Sequence, residues 1–524
     1  MLTCALLAFL PYCSSPEAEG VSSRQVAEWI TASERELDAL HGFVLLRHGK
    51  VIAEGSWAPY DTLNETHRLY SHSKSFTSTA VGFLVDDGKL DLDERVVDIL
   101  SDKVPANPSD NLKALRVRDL LTMNVGAARA DAELDDSDGD WERAFLANTI
   151  DGRPGQAFRY DSGATYLLAA IVERRSGEKL MDFLVRRLFR PLGIARAWST
   201  TSPSGTACGG WGMNMTTREL ALFGQLYLNR GLWNGERILS EEWIALATSR
   251  QTWSGPIGVT GEDGSDWHQG YGFQFWRCRH GFYRADGANG QLTVVMPQYD
   301  AVLSVHAGLG DMQKELDLVW NHLLPALGTG SLPEDPVAAQ DLKRTCGGLA
   351  LPSVGGAREG DGVCLGAGYR LGTPVCGLQT VRIDASGEEW TATFGTESGE
   401  WAVPVGFGVW RRGVMGLCAG RHEPLGRIVG EQRVASSAAY GPDGTFKVRV
   451  LMLDGPQKLD LSFSGAETNR VVSGVLHGLG GGAFEGTRGT AGALNRRVPG
   501  EGDAADILIV PDLPSSANVS VQLP

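Results

Sequence analysis

The period of the apolar residues switches several times along this chain, and the order of the switches is what most restricts its fold. Phe43-Val44-Leu45-Leu46 and Val51-Ile52-Ala53 flank the turn residues His48-Gly49-Lys50, which predicts a β-hairpin. Ahead of it, Ser22 to Gln25 has the spacing of a capping box and Val26, Ile30, Leu37 and Leu40 follow at helical intervals, so a helix is expected over 23–40. Helical spacing returns over 71–85, with Phe76, Ala80, Phe83 and Leu84 on one side and Asp86-Asp87-Gly88 ending the run. It prevails through 89–240, apart from an acidic, exposed loop around Asp131 to Asp140. Short strands are expected at 272–276, 281–284, 291–296 and 301–305, and a helix from Met312 to Leu327. Strands at both ends with helices between them point to one sheet assembled from both ends of the segment, the intervening helices forming a separate lobe. The expected fold class is therefore α/β (α+β), an antiparallel sheet flanked by helices plus a helical lobe.

A chain of 524 residues is too long for one hydrophobic core. Gly328 to Pro336 has linker composition, and from Leu342 to about Val510 the pattern changes to short alternating strands such as Trp390 to Phe394 and Lys447 to Leu451. This reading divides the chain into an N-terminal segment (1–20), a first domain (21–328), a linker (329–341), a β-rich accessory domain (342–510) and a loosely ordered tail (511–524). Gly478 to Ala483 superficially matches a dinucleotide loop, but no helix is expected after it, so it is read as a turn.

A formal net charge of -15 and the absence of any basic run of five argue against nucleic acid as a partner. No apolar stretch reaches the roughly 18 to 20 residues of a membrane span. Met1 to Leu10 is apolar, but no Lys or Arg precedes it, the first basic residue is Arg24 and no A-x-A-like cleavage site follows. A cytoplasmic location is expected, with export through a weak N-terminal signal as the alternative. The eight cysteines form no C-x-x-C pair and the ten histidines show no ligand spacing, so neither metal nor cofactor is expected and the cysteines read as free thiols. There is no G-x-S-x-G elbow, H-E-x-x-H helix or P-loop.

What remains is Ser71-His72-Ser73-Lys74. A serine hydroxyl is a poor nucleophile at neutral pH and needs a base within hydrogen-bond reach together with donors for the developing oxyanion. A lysine three residues on along a helix shares the serine's face, about 5 to 6 Å away between Cβ atoms. An amine among apolar or cationic groups loses its proton more readily and can then accept one. S-x-x-K alone arises by chance in a chain of 524 residues. Further on, Tyr160-Asp161-Ser162 ends a loop that turns into an apolar helix, with Tyr166 as the competing phenol, and Arg284-Ala285-Asp286-Gly287-Ala288 puts a glycine at a strand edge where a backbone can approach a ligand. His72 reads as a pocket-rim side chain, and Trp211, Trp267 and Trp276 as residues of an acyl pocket or of the core.

These segments, in this order, resemble the class C β-lactamase and penicillin-binding protein-like family of serine hydrolases. Leu120 to Gly126 and Gly209 to Ala221 look like further landmarks of it, and the resemblance covers about residues 16–327. It implies a β-lactamase-like fold in which Ser71 is acylated, Lys74 assists proton removal and Tyr160 is the second base or acid. The backbone N–H groups of Ser71 and Ala288 would form the oxyanion hole, and Ser162, Gly287 and Trp211 would contact substrate. Two features depart from the family pattern. Ser162 stands where many members carry asparagine, and Ala285-Asp286-Gly287 replaces K-T-G or H-x-G, which removes the cation that holds a β-lactam or peptide carboxylate. Arg284 is adjacent, but strand alternation turns it to the opposite face from Ala285. This pattern is similar to the esterase and 6-aminohexanoate-dimer hydrolase-like branch, implying a small-molecule ester or amide substrate. The alternatives are a β-lactamase or D,D-peptidase and, from another class, a non-catalytic sensor or binding module.

Overall fold

The computed structural model of the protein describes residues 10–127, 139–256, 258–360, 365–375, 377–396, 399–417, 430–464, 471–477 and 482–488. The expectations for residues 1–9, for 131–138 of the acidic loop, for 478–481, for the tail and for Cys4, Cys364, Cys376 and Cys418 lie outside the described residues. Cys13, Cys278 and Cys346 are free thiols.

Helix α1 (Ser23–Glu36) begins where the Ser22 hydroxyl accepts from the N–H of Gln25. It ends earlier than expected because Leu37 is already extended and β1 (Leu40–Arg47) starts three residues on. β1 and β2 (Lys50–Ser56) form the expected hairpin. The remaining strands of the sheet come from far along the chain: β3 (Trp276–Arg277), β4 (Tyr283–Gly287), β5 (Gln291–Met296) and β6 (Ala301–Ala307). All pairs are antiparallel, in the order β2-β1-β6-β5-β4-β3, so the sheet is built from both ends of the segment, with Leu45 opposite Leu303. β1 is buried along its whole length because both faces are covered: Val44 and Leu46 enter one core cluster, Phe43 and Leu45 the other. The first cluster holds the helical lobe, including α2 (Ser73–Asp86), α3 (Ser162–Ser176) and α4 (Thr217–Leu228). α1 and α5 (Met312–Leu318) belong to the second; α5 continues through a π turn and a 3-10 turn to Ala326.

Two expectations are corrected. Residues 272–275 are not strand: Gln274 sits at φ 66, and the Phe273 and Gln274 carbonyls accept from Ser78 and Ser75 of α2 at 2.7 Å each instead of from a neighbouring strand. The second half of the 329–341 linker belongs to α6 (Pro336–Gly347), capped by Asp335, whose carboxylate accepts from the Ala338 N–H at 3.0 Å. A proline at the first helical position starts a helix and does not break it. α6 packs back on α1 and β2, with Leu342 in the second core cluster.

The C-terminal strands are β7 (Gly368–Val375), β8 (Leu378–Ser386), β9 (Glu389–Thr396), β10 (Gly399–Phe407), β11 (Arg411–Leu417), β12 (Gly430–Tyr440), β13 (Phe446–Met452), β14 (Lys458–Ser464), β15 (Val471–His477) and β16 (Gly482–Arg488). They form one ten-stranded sheet in the order β10-β9-β8-β7-β16-β15-β14-β13-β12-β11, and β10 also pairs with β12, so the sheet closes on itself like a barrel. Strict alternation fills its interior; along β14, Leu459, Leu461 and Phe463 are buried while the residues between them are half-exposed. Among the described residues no helix is long and apolar enough to cross a membrane, and no His, Cys, Asp and Glu group could hold a metal ion.

Candidate active site

α2 is preceded by a single 3-10 turn, Tyr70–His72, that carries Ser71 at a half-buried position. Tyr70 has φ 49, in the left-handed region that a bulky side chain rarely adopts. One turn on, Lys74 is 1% exposed and its Nζ lies 3.1 Å from Ser71 Oγ, 2.9 Å from Ser162 Oγ and 2.7 Å from the Gly210 carbonyl oxygen. Ser162 is the first residue of α3, held there because the Asp161 carboxylate caps the helix by accepting from the Ala164 N–H. Gly210 is fixed from the other side, where Thr77 of α2 donates to the Gly209 carbonyl at 2.9 Å.

Tyr160 covers this cluster. Lys74 Nζ lies 4.8 Å from its ring centroid, and Trp276 stacks on the same ring at 5.7 Å and 18°. Gly287, at the end of β4, meets the nucleophile turn so closely that a Cβ there would lie 2.0 Å from the Leu69 carbonyl oxygen and 3.1 Å from the His72 nitrogen. Only glycine permits that approach, and it brings the backbone of Gly287 and the half-buried Ala288 alongside Ser71. Ser71, Lys74, Tyr160, Ser162, Gly287 and Ala288 are thus gathered in one place.

The other expected site residues are not. Trp211 is 3% exposed and packs against Trp141 at 5.7 Å, so its side chain belongs to the core and does not line an open pocket. His72 is likewise no rim residue: it is fully buried, and burial lowers its imidazole to about 3. Tyr166 points away, donating to Ser202 Oγ at 3.1 Å. Ala285 is buried within the core cluster that holds the helical lobe. Arg284 is turned to the opposite face and tied down there: Nε pairs with Asp286 at 2.6 Å, Nη1 donates to the Asp266 carbonyl at 3.0 Å, and the guanidinium lies over Trp267 at 4.6 Å. Burial works against its charge, but Cys278, Asp286 and Asp266 outweigh it and hold the guanidinium ionised. No basic side chain therefore stands in place of the missing lysine at 285.

The sequence profile of the Beta-lactamase family matches residues 33–317, more than half of the chain, the stretch that carries all of these residues. The chain belongs to the beta-lactamase family. A 6-aminohexanoate-dimer hydrolase of Paenarthrobacter ureafaciens is 29% identical over 222 residues, 38% of this chain and 55% of that protein. Penicillin-binding protein 4 of Amycolatopsis lactamdurans is 28% identical over 265 residues, 44% of this chain and 68% of that protein. The chain thus spans just over half the length of the first of these relatives. A solved structure described as "Putative 6-aminohexanoate-dimer hydrolase from Bacillus anthracis" superposes with a TM-score of 0.51 at 19% identity, covering 63% of this chain and 89% of that one, and shares the fold.

Sequence reasoning missed two parts of the site. The Gly210 carbonyl carries no side-chain signature, although the Gly209 to Ala221 landmark that contains it is visible. The stacking of Trp276 on Tyr160 joins residues 116 positions apart, and aromatic spacing along the chain gives no hint of it.

Proposed function

We propose that the protein is a serine hydrolase working through an acyl-enzyme on a small ester or linear amide, of the carboxylesterase or amidase type. The observation that carries the reading is the set of three contacts at Lys74 Nζ. A neutral amine has two N–H groups and one lone pair, and Ser162 Oγ, the Gly210 carbonyl and the Ser71 hydroxyl match them one for one. The lone pair takes the Ser71 proton while Oγ attacks the substrate carbonyl, whose electron pair moves onto its oxygen between the N–H groups of Ser71 and Ala288. When the tetrahedral adduct collapses, the leaving alkoxide or amine takes up a proton delivered through Tyr160, and water repeats the sequence to release the acid. Ser162 and Gly210 aim the amine; Gly287 lets the oxyanion strand approach.

Preference for an ester or linear amide over a β-lactam rests on Ala285 and on the burial of Arg284 against Asp286 and the Asp266 carbonyl, which leave no side-chain cation there for a β-lactam carboxylate. The name of the Paenarthrobacter relative, 6-aminohexanoate-dimer hydrolase, supports the same side. The test compares wild type and Ser71→Ala on a chromogenic short-chain ester, a linear amide and a chromogenic cephalosporin, with a fluorophosphonate label as control. Turnover of ester or amide that vanishes in Ser71→Ala is expected. A cephalosporin turned over far faster than both would make the protein a β-lactamase, and a wild type that neither labels nor turns over any of them would make it a non-catalytic module.

A further inference from the structure

The barrel reaches the nucleophile turn. The loop between β13 and β14, Leu453–Gln457, lies against the chain just before Ser71. The N–H of Arg68 donates to the Asp454 carbonyl at 2.9 Å, and the Gln457 amide, 1% exposed, donates through Nε2 to the hydroxyl of Tyr70. The loop is itself rigid. Met452 N–H donates to the Gln457 carbonyl at 2.9 Å, and the Asp454 carboxylate accepts from the Arg433 backbone at 2.6 Å and from its Nε at 2.7 Å, while Arg433 Nη2 reaches the Thr66 carbonyl at 2.8 Å. An apolar cluster of Tyr60 with Ala435, Leu451 and Leu453 excludes water beside it.

Tyr70 is where this contact matters. A non-glycine residue in the left-handed region is strained and persists only where the surroundings over-determine it. On one side Gly287 presses on the Leu69 carbonyl; on the other Gln457 holds the Tyr70 phenol. Relaxation of Tyr70 would swing the next residue, Ser71, away from Lys74 and from the Gly287–Ala288 edge.

We propose that the barrel loop is part of the catalytic framework, with Gln457 a positioning residue that acts through Tyr70 on Ser71. The inference rests on the hydrolase reading above. A misplacement of about 1 Å in a reacting group costs on the order of 10²-fold in rate. In full-length protein, Gln457→Met, which keeps length and loses the donor, and Tyr70→Phe are each expected to lower kcat on a short-chain ester and the rate of fluorophosphonate labelling by roughly 10- to 100-fold, with KM within about twofold. The double variant is expected to be no slower than the worse single one. Arg412→Ala removes other barrel contacts, those to Glu65 and the Pro59 carbonyl. It is expected to lower Tm while leaving kcat per folded molecule unchanged.

If wild type labels and turns over while both variants keep wild-type kcat, the inference is overturned and the hydrolase reading stands. The same holds if Arg412→Ala slows the reaction as much as they do. Should Gln457→Met fail to fold, Tyr70→Phe, which deletes one oxygen, decides alone. A wild type that neither labels nor turns over ester overturns both.

Discussion

Acidification should unfold this protein steeply. His41, His67, His72 and His306 are each no more than 2% exposed. The contacts of three of them suit the neutral ring: His41 Nδ1 and His67 Nε2 are 3.0 Å apart, His67 Nδ1 faces the Arg68 carbonyl at 3.0 Å, and His306 Nδ1 faces Gln291 Oε1 at 2.9 Å. The carbonyl and amide oxygens can only accept, so each Nδ1 facing one carries the proton, and the His41 Nδ1–H then donates to His67 Nε2. A second proton on His67 would break that bond. Burial lowers His67 and His72 to about 3, and His41 and His306 well below the usual range.

A histidine that stays neutral in the fold but takes a proton near pH 6.5 when unfolded leaves the fold at full stability above that pH, and stability is lost progressively as pH falls from 6.5 towards the folded value, about 3 for His67 and His72. Glu315 acts in the opposite sense: buried, with its carboxyl raised well above the usual range by burial and by Asp286, it keeps a proton that the unfolded chain releases. Asp119, Glu142 and Asp286, raised by burial to a lesser degree, act the same way. At pH 5.5, unfolding then takes up about 0.9 proton for each of the four histidines and releases about one from Glu315, a slope of about 3 to 4 kcal/mol per pH unit. Against a typical total of about 5 to 15 kcal/mol, a fold at the lower end of that range is expected to unfold near pH 5, and a more stable one at lower pH. Urea denaturation at pH 7.5, 6.5, 6.0 and 5.5 measures the slope, and His72→Leu, which deletes one of the four sites, should flatten it by about one proton. A change below about 1 kcal/mol between pH 6.5 and 5.5 would refute the neutral buried histidines.

The site makes its own predictions. Lys74→Ala and Tyr160→Phe should each cost on the order of 10² to 10⁴-fold in kcat, as expected for groups that move protons, with thermal stability measured alongside to exclude misfolding. Ser162→Ala removes a hydrogen-bond partner of Lys74 Nζ and should lower kcat by about fivefold, worth about 1 kcal/mol for the lost bond, with KM little changed in steady-state assays. Gly287→Ala puts a Cβ 2.0 Å from the Leu69 carbonyl oxygen, so it should lower both Tm and the labelling rate of Ser71; wild-type values for both would contradict the close approach of β4.

Periodicity made the sheet legible because alternation reports burial directly, and β1, with both faces covered, still reads as a short apolar run between turn residues. The same logic finds α2 but is silent on its other side. Ser75, Thr77, Ser78 and Thr79 look like the wet face of an amphipathic helix, yet all are buried, because the carbonyls of Gln274, Gly209 and Phe273 and the Tyr227 hydroxyl take their protons or share them. A hydroxyl in sequence cannot announce whether water or a loop carbonyl will satisfy it. The site divides along the same line. Ser71 and Lys74 are legible because three residues of helix fix their distance, whereas Ser162 entered only through the family resemblance. The Gly210 carbonyl is silent, since every residue carries one. Gln457 is silent for a different reason, being 387 residues from the phenol it holds. That separation also gives the contact its weight. A bond of that range exists only while the barrel is closed and docked, so the geometry of a nucleophile that looks local in the sequence depends on the whole length of the described fold.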